Sequence, residues 1–264
     1  MIPRAALNAW SQRAPWPNPL DVEQDLVLSR MIVEIANHPL LGRELAFRGG
    51  TSLHKLCIPT PWRYSNDLDY VRTTTGPIHN IMAAVRDVAE SVGLTEARYE
   101  IKPELVNMKF DADPTDAIGR IRVKVEFNVR ETVPAFGYVF REYEVRNPWF
   151  VGSADVLTFE LEELLGTKLR ALHQRRRGRD LFDLWLGLSH LGAAPDRVIV
   201  AFNHYLERSG VRIAPSAFDV TLARKLQHAG FRSDLDALLT AEPDGWSPDA
   251  GAALVREVLL PLMS

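Results

Sequence analysis

F-R-G-G-T-S-L-H-K-L-C-I-P-T-P-W-R-Y-S-N-D-L-D-Y-V-R, Phe47 to Arg72, decides how the rest of the chain is read. A Gly-Gly-Thr turn opens a short helix, and a Ser-x-Asp-x-Asp segment follows it. Side chains two apart in a strand share a face, so Asp67 and Asp69 stand side by side. Two neighbouring carboxylates repel unless a cation joins them. Mg²⁺ suits such a pair, because it takes oxygen ligands and binds through one or two carboxylates plus substrate phosphates. Gly49 and Gly50 can adopt backbone angles closed to other residues and let a phosphate approach main-chain N–H groups. Thr51 or Ser52 is expected to cap the helix that follows, whose N-terminus favours an anion. Ser65 is expected on the strand face of the two aspartates, with a hydroxyl to offer a phosphate. Gly-Gly alone is often a tight turn and Asp-x-Asp alone is common on solvated strand edges. Their order and spacing together point to phosphoryl or nucleotidyl transfer.

Working outward, residues 1–20 carry Pro3, Pro15, Pro17 and Pro19 without a sustained apolar period and read as an irregular arm. Asp21 is expected to cap a helix with Leu26, Leu28, Met31, Ile32 and Ile35 at helical spacing. Ile78–Val92 reads as a second amphipathic helix, stopped by Gly93. The period changes between Ala97 and Arg146. Arg120–Arg130 alternates, with Ile121, Val123, Val125, Phe127 and Val129 on one face and Arg122, Lys124, Glu126 and Asn128 on the other, which predicts a half-buried strand.

From Leu157 the pattern turns helical. Leu161, Leu164, Leu165, Leu169 and Leu172 form an apolar stripe with Lys168 at its flank. Arg175, Arg176, Arg177 and Arg179 then concentrate positive charge that could meet nucleic-acid phosphates or simply be a solvated loop. Asp180 and Asp183, three apart, share one side of the next helix. Asp180, nearer its N-terminus, is expected to cap it or bind an arginine. Val198–Leu206, Leu222–Leu226, Leu235–Leu239 and Ala252–Leu260 complete a helical lobe. The fold class is therefore α+β, with a core domain over 1–156 and a helical C-terminal lobe over 157–264 that carries Lys168, by itself read as an ordinary solvated lysine, and Asp183.

Composition suits an ordinary enzyme: 264 residues, 46% of them apolar, with room for one large or two modest cores. A net charge of −3 leaves any nucleic-acid binding to a local patch. The single cysteine, Cys57, excludes an internal disulfide and falls in an apolar helical register, where a buried inert thiol is expected. No apolar run reaches membrane-spanning length and the N-terminus lacks a signal-peptide core, so the expected location is the cytoplasm. His173 and His204 stand without companions at ligand spacing and read as ordinary helix residues. Trp10, Trp62, Trp149 and Trp185 read as packing residues.

The F-R-G-G-T-S-L and R-Y-S-N-D-L-D strings, followed by E-L-E-E-L-L-G-T-K-L-R-A-L-H-Q-R-R-R-G-R-D-L-F-D-L-W, resemble the signature of the AbiEii/AbiGii-type nucleotidyltransferase toxins, including the MenT-like toxins. These form a branch of the DNA polymerase β-like nucleotidyltransferase superfamily, and the resemblance spans roughly residues 25 to 190. It implies a mixed sheet with flanking helices. It implies Asp67 and Asp69 as ligands of Mg²⁺ (or Mn²⁺), and an NTP as substrate. It makes Glu126 a candidate third metal carboxylate, beside the plain alternative of a surface glutamate paired with Lys124 or Arg122. Lys168 matches the family's triphosphate lysine and Asp180 and Asp183 its R-D-x-x-D block, which implies that one of the two aspartates orients the lysine or the attacking hydroxyl, with Asp183 the stronger catalytic candidate. The implied acceptor is RNA, foremost the tRNA 3′ end, the implied partner an antitoxin, and the expected state a monomer. A protein or small-molecule acceptor, or a nucleotide-binding module without turnover, are the alternatives.

Overall fold

The alternating stretch after Arg120 becomes the inner strand on which one half of the molecule is organised. The computed structural model describes residues 2–95, 97–115 and 117–263. The chain forms α1 (Arg4–Ser11), α2 (Pro19–Asn37), α3 (Leu41–Glu44), β1 (Leu45–Arg48), α4 (Gly49–Leu56), β2 (Asp67–Arg72) and α5 (His79–Ser91). Then come β3 (Arg98–Ile101), β4 (Leu105–Ala112), β5 (Ile121–Asn128), β6 (Tyr138–Asn147) and β7 (Phe150–Phe159). The strands make a seven-stranded sheet in the order β3-β4-β5-β2-β1-β7-β6. β2 runs parallel to β5 and β1 parallel to β7, while the other neighbours are antiparallel, so the sheet is mixed as expected.

Two compact units result. The first takes the chain to Val133 together with Tyr138–Phe159, and the second takes Pro134–Gly137 and everything from Glu160. β7 runs on to Phe159, past the expected division at residue 156. In the second unit α6 (Leu161–Gln174), α7 (Gly178–His190), α8 (Pro195–Arg208), α9 (Pro215–Leu226), α10 (Ala229–Arg232) and α11 (Pro248–Leu254) pack together. Fully buried Glu163 holds Pro134–Gly137 to this unit: its carboxylate accepts from the Ala135 and Phe136 amides at 2.8 and 3.0 Å and from the Tyr205 hydroxyl at 2.6 Å. Among the described residues no helix is long and apolar enough to cross a membrane.

Several local expectations need correcting. The N-terminal arm is not irregular: α1 forms, and buried Trp10 donates its indole N–H to Asp25 at 2.9 Å. Asn18, not Asp21, caps α2, accepting from the Leu20 amide with Pro19 in the first turn, where its missing N–H costs nothing. Leu235–Leu239 winds through turns rather than a helix. Cys57 ends α4 and is half-buried. α5 begins at His79 and closes before Gly93, whose φ of 89° is the left-handed exit a glycine permits.

Candidate active site

The acidic site belongs to the first unit and is built by strand register. β1 places Arg48 opposite Asp69, and β5 places Lys124 opposite Asp67 and Glu126 opposite Asp69. Cross-strand neighbours share a face, so Arg48, Asp67, Asp69, Lys124 and Glu126 lie together. Glu126 thus stands beside Asp-x-Asp and is also paired with Lys124, so both roles weighed for it have a physical basis. The Lys124 ammonium lies 3.3 Å from Asp67 and 3.3 Å from Glu126. Burial works against its charge, yet the Asp67, Glu126 and Asp69 carboxylates outweigh that and hold its pKa above the usual lysine value. Arg48 is itself held by Glu131 at 2.6 Å.

Asp69 is the anomalous group. Its carboxylate accepts no hydrogen bond from any described residue. Burial, then the charges of Asp67 and Glu126, push its pKa up to about 6 against the pull of Lys124 and Arg48. That is uncompensated negative charge in a partly buried place. Among the described residues no three His, Cys, Asp or Glu side chains are gathered as a ready-made metal cage, since Lys124 stands between Asp67 and Glu126. The donor set is nonetheless of the kind a hard divalent cation prefers: three carboxylates on one face of two paired strands, one of them with its pKa raised by burial and by its two acidic neighbours.

α4 closes one side of this cluster. It begins at Gly49 directly after β1, with no side-chain cap. The expected cap hydroxyls work elsewhere. Thr51 donates to the Asp67 carbonyl at 2.6 Å and so receives the Ser65 hydroxyl at 2.8 Å, while Ser52 is turned into the core against Phe47 and Thr158. Ser65 lies ahead of β2 rather than on it. The Gly50, Thr51 and Ser52 amides at the head of the helix keep their donors free of side-chain caps, the arrangement that suits a phosphate. Gly49 sits at φ 82°, and a Cβ there would collide with the Asp69 carboxylate. Gly49→Ala is accordingly expected to cost about 1–3 kcal/mol through backbone strain and to displace Asp69. Thermal melting together with nucleotide binding checks this, and an unchanged variant would show that the close approach is dispensable.

The second unit holds a separate charged cluster. Lys168, only 5% exposed, lies 2.7 Å from Asp183 and 3.5 Å from Asp180, both fully buried. Asp180 does not cap α7. It accepts two bonds from Arg175, at 2.7 and 2.8 Å, because α7 begins two residues before it and its side chain points back along the helix toward the Arg175 loop. Arg177 and Arg179 are both held by Asp234, at 3.4 and 3.1 Å. Arg176 is exposed and, among the described residues, is the member of the run without a partner.

Lys124 and Arg48 belong to the site although no motif marks them. Lys124 could have been found from its place two residues before Glu126, on the same face, and Arg48 from the strand that ends at the Gly-Gly turn.

The model of the family described as nucleotidyl transferase AbiEii toxin, type IV toxin–antitoxin system, matches residues 30–256. The chain belongs to the AbiEii nucleotidyltransferase toxin family. Among solved structures it is similar to the nucleotidyltransferase toxin MenT4 of Mycobacterium tuberculosis, with 15% identity, a TM-score of 0.57 and coverage of 99% of this chain and 90% of that one. It is likewise similar to JHP933 of Helicobacter pylori, with 14% identity, a TM-score of 0.56 and coverage of 99% and 93%. These likenesses are of fold. A comparison with curated protein sequences finds no match.

Proposed function

We propose that this member of the family transfers a nucleotide from an NTP to RNA, with the 3′ acceptor end of tRNA as target, and so halts translation and growth until its antitoxin acts. One observation carries the reading: Asp67, Asp69 and Glu126 share one face of two paired parallel strands, against the uncapped helix start at Gly49. Asp67 and Asp69, with Glu126 as the third carboxylate, would hold Mg²⁺ or Mn²⁺. When bound, the cation supplies charge neutralisation for the triphosphate and the departing pyrophosphate. Gly49 sets the turn, the Gly50 and Thr51 amides receive phosphate oxygens, and Ser65 holds Thr51 in place. The acceptor hydroxyl attacks the α-phosphorus: one O–P bond forms, the α–β phosphoanhydride bond breaks, pyrophosphate leaves and the hydroxyl proton passes to water.

Lys168 and Asp183 enter through the family resemblance, Lys168 as the cation for the triphosphate and Asp183 and Asp180 as the carboxylates that position it. Arg176, with Arg175, Arg177 and Arg179 around it, offers a contact for RNA phosphate. The protein is read as a cytoplasmic monomer. The test is incubation of the purified chain with Mg²⁺, each labelled NTP and total RNA. A small RNA is expected to take up label, and Asp67→Ala is expected to lose it by at least a hundredfold, since removing one transition-state charge contact costs about 10²–10³ in rate. Label on protein, or on nothing, would overturn the reading.

A further inference from the structure

The sheet face does not stop at Glu126. Register carries it onward from Glu126 to Asn107 on β4 and Glu100 on β3, and from Lys124 to Lys109 and then Arg98. Strands lie about 4.8 Å apart, so three cations are lined up over roughly 10 Å. Like charges directly opposite on adjacent strands are destabilising, and here Lys124 faces Lys109, which faces Arg98. Asp111 offsets part of this, since it pairs with Arg98 and lies 4.0 Å from Arg122. Lys109 is exposed and has no carboxylate partner among the described residues.

A second observation is independent of charge. Asn107 is only 8% exposed, yet its side-chain oxygen is buried without a hydrogen-bond partner. Buried amide oxygens are normally satisfied, so an unmet one beside an opening points to a missing donor. The opening is a cavity of about 490 Å³ lined by Arg98, Tyr99, Glu100, Asn107, Lys109 and Arg122. Sheet order fixes its place. The helix start that suits the triphosphate follows β1, on one side of β2, whereas β5, β4 and β3 extend on the other. A molecule on this second side would bring its end to the carboxylates from the direction opposite the triphosphate.

We infer that the face of β3, β4 and β5 beyond Glu126 is the acceptor subsite, binding the single-stranded end of a nucleic acid with its phosphates on Lys109 and Arg122 and a base or ribose donor on Asn107. This rests on the nucleotidyltransferase reading and adds the surface on which the acceptor lies. Phosphate contacts position such a strand and a buried amide discriminates its polar edges.

The test uses the full chain, a fluorescent single-stranded oligoribonucleotide and a non-hydrolysable NTP, with affinities followed by anisotropy across a salt series. Lys109→Ala with Arg122→Ala is expected to weaken oligonucleotide binding by about tenfold. It should also lower the slope of log K against log salt by about 1.4, since each lost single-strand phosphate contact removes about 0.7. NTP affinity should not change. Asn107→Leu should raise the KM for RNA while leaving the KM for NTP as in wild type. Wild-type affinity and slope in the double variant would overturn the subsite. So would a parallel loss of NTP affinity, which would assign the cavity to the nucleotide, or equal binding of an acidic peptide in place of RNA. If wild type binds the oligonucleotide through these residues yet labels no RNA, the face is a nucleic-acid surface but not an acceptor subsite, and the failure lies in the transferase reading.

Discussion

Lys168→Ala is expected to lower the stability of the protein by about 3–5 kcal/mol, because it takes an ammonium away from two buried carboxylates. Arg175 continues to serve Asp180, but Asp183 loses its 2.7 Å ion pair in a fully buried place. In a chain of this size the corresponding fall in Tm is on the order of 10 °C. Growth arrest by the expressed toxin should disappear with it. That disappearance alone would not place Lys168 in the chemistry, since an unfolded toxin is also harmless. Lys168→Ala combined with Asp183→Asn removes charge on both sides of the pair and should recover part of the lost Tm. Lys168→Arg keeps the charge, and a stable but inactive arginine form would assign the lysine to the triphosphate. If Lys168→Ala melts with wild type, the ion pairs around Lys168 contribute nothing to stability.

Asp69→Asn has the opposite sign in the metal-free protein. Ionising Asp69 in the fold is unfavourable, as the rise of its pKa from 3.8 to about 6 records. The folded state therefore binds more protons than the unfolded state between those values, and stability falls as pH rises through that window. Above it the full penalty, about 1–3 kcal/mol after allowance for partial exposure, is present. The asparagine form carries no such penalty. At pH 7.5 without divalent ions it should melt above wild type, and the advantage should shrink below pH 6 and vanish near pH 4. Adding Mg²⁺ should raise the Tm of wild type and leave Asp69→Asn where it is, with nucleotide transfer lost in the variant. A destabilised asparagine form at pH 7.5 would show that Asp69 is already compensated.

Much of this was legible because it is written in short-range pattern. The alternation after Arg120 specified β5 and which face Glu126 occupies, and the Gly-Gly-Thr to Asp-x-Asp order specified a turn, a helix and a strand in sequence. What escaped depends on partners distant in the chain. α1 has three prolines just after it and only eight residues, too few to be stable alone, and it is held by packing such as that of Trp10 on Asp25. Of the two roles expected for Asp180, cap or arginine partner, the second forms, because the Arg175 fork is a stronger partner for a buried carboxylate than a helix end. Thr51 and Ser52 were similarly drawn from capping into longer-range bonds with Asp67 and Thr158. The pairing of strands β2 and β5, which brings Lys124 into the acidic cluster, joins segments separated by a helix and two further strands. No local signal reports it.

If the carboxylates hold a cation as proposed, the position of Lys124 would make its uptake an exchange of one positive charge for another. With its ammonium 3.3 Å from both Asp67 and Glu126, the lysine is an internal counter-ion that must give way before those oxygens can serve an external one. Whatever stabilises Lys124 away from the pair tightens ion binding by that same free energy, and the reciprocal effect is equal. Its cross-strand neighbour is Lys109. A polyanion laid along that side would attract the displaced ammonium, so an acceptor and a divalent ion would each favour the arrival of the other. The enzyme would then be slow to consume NTP in the absence of its target, without needing any separate device to restrain it.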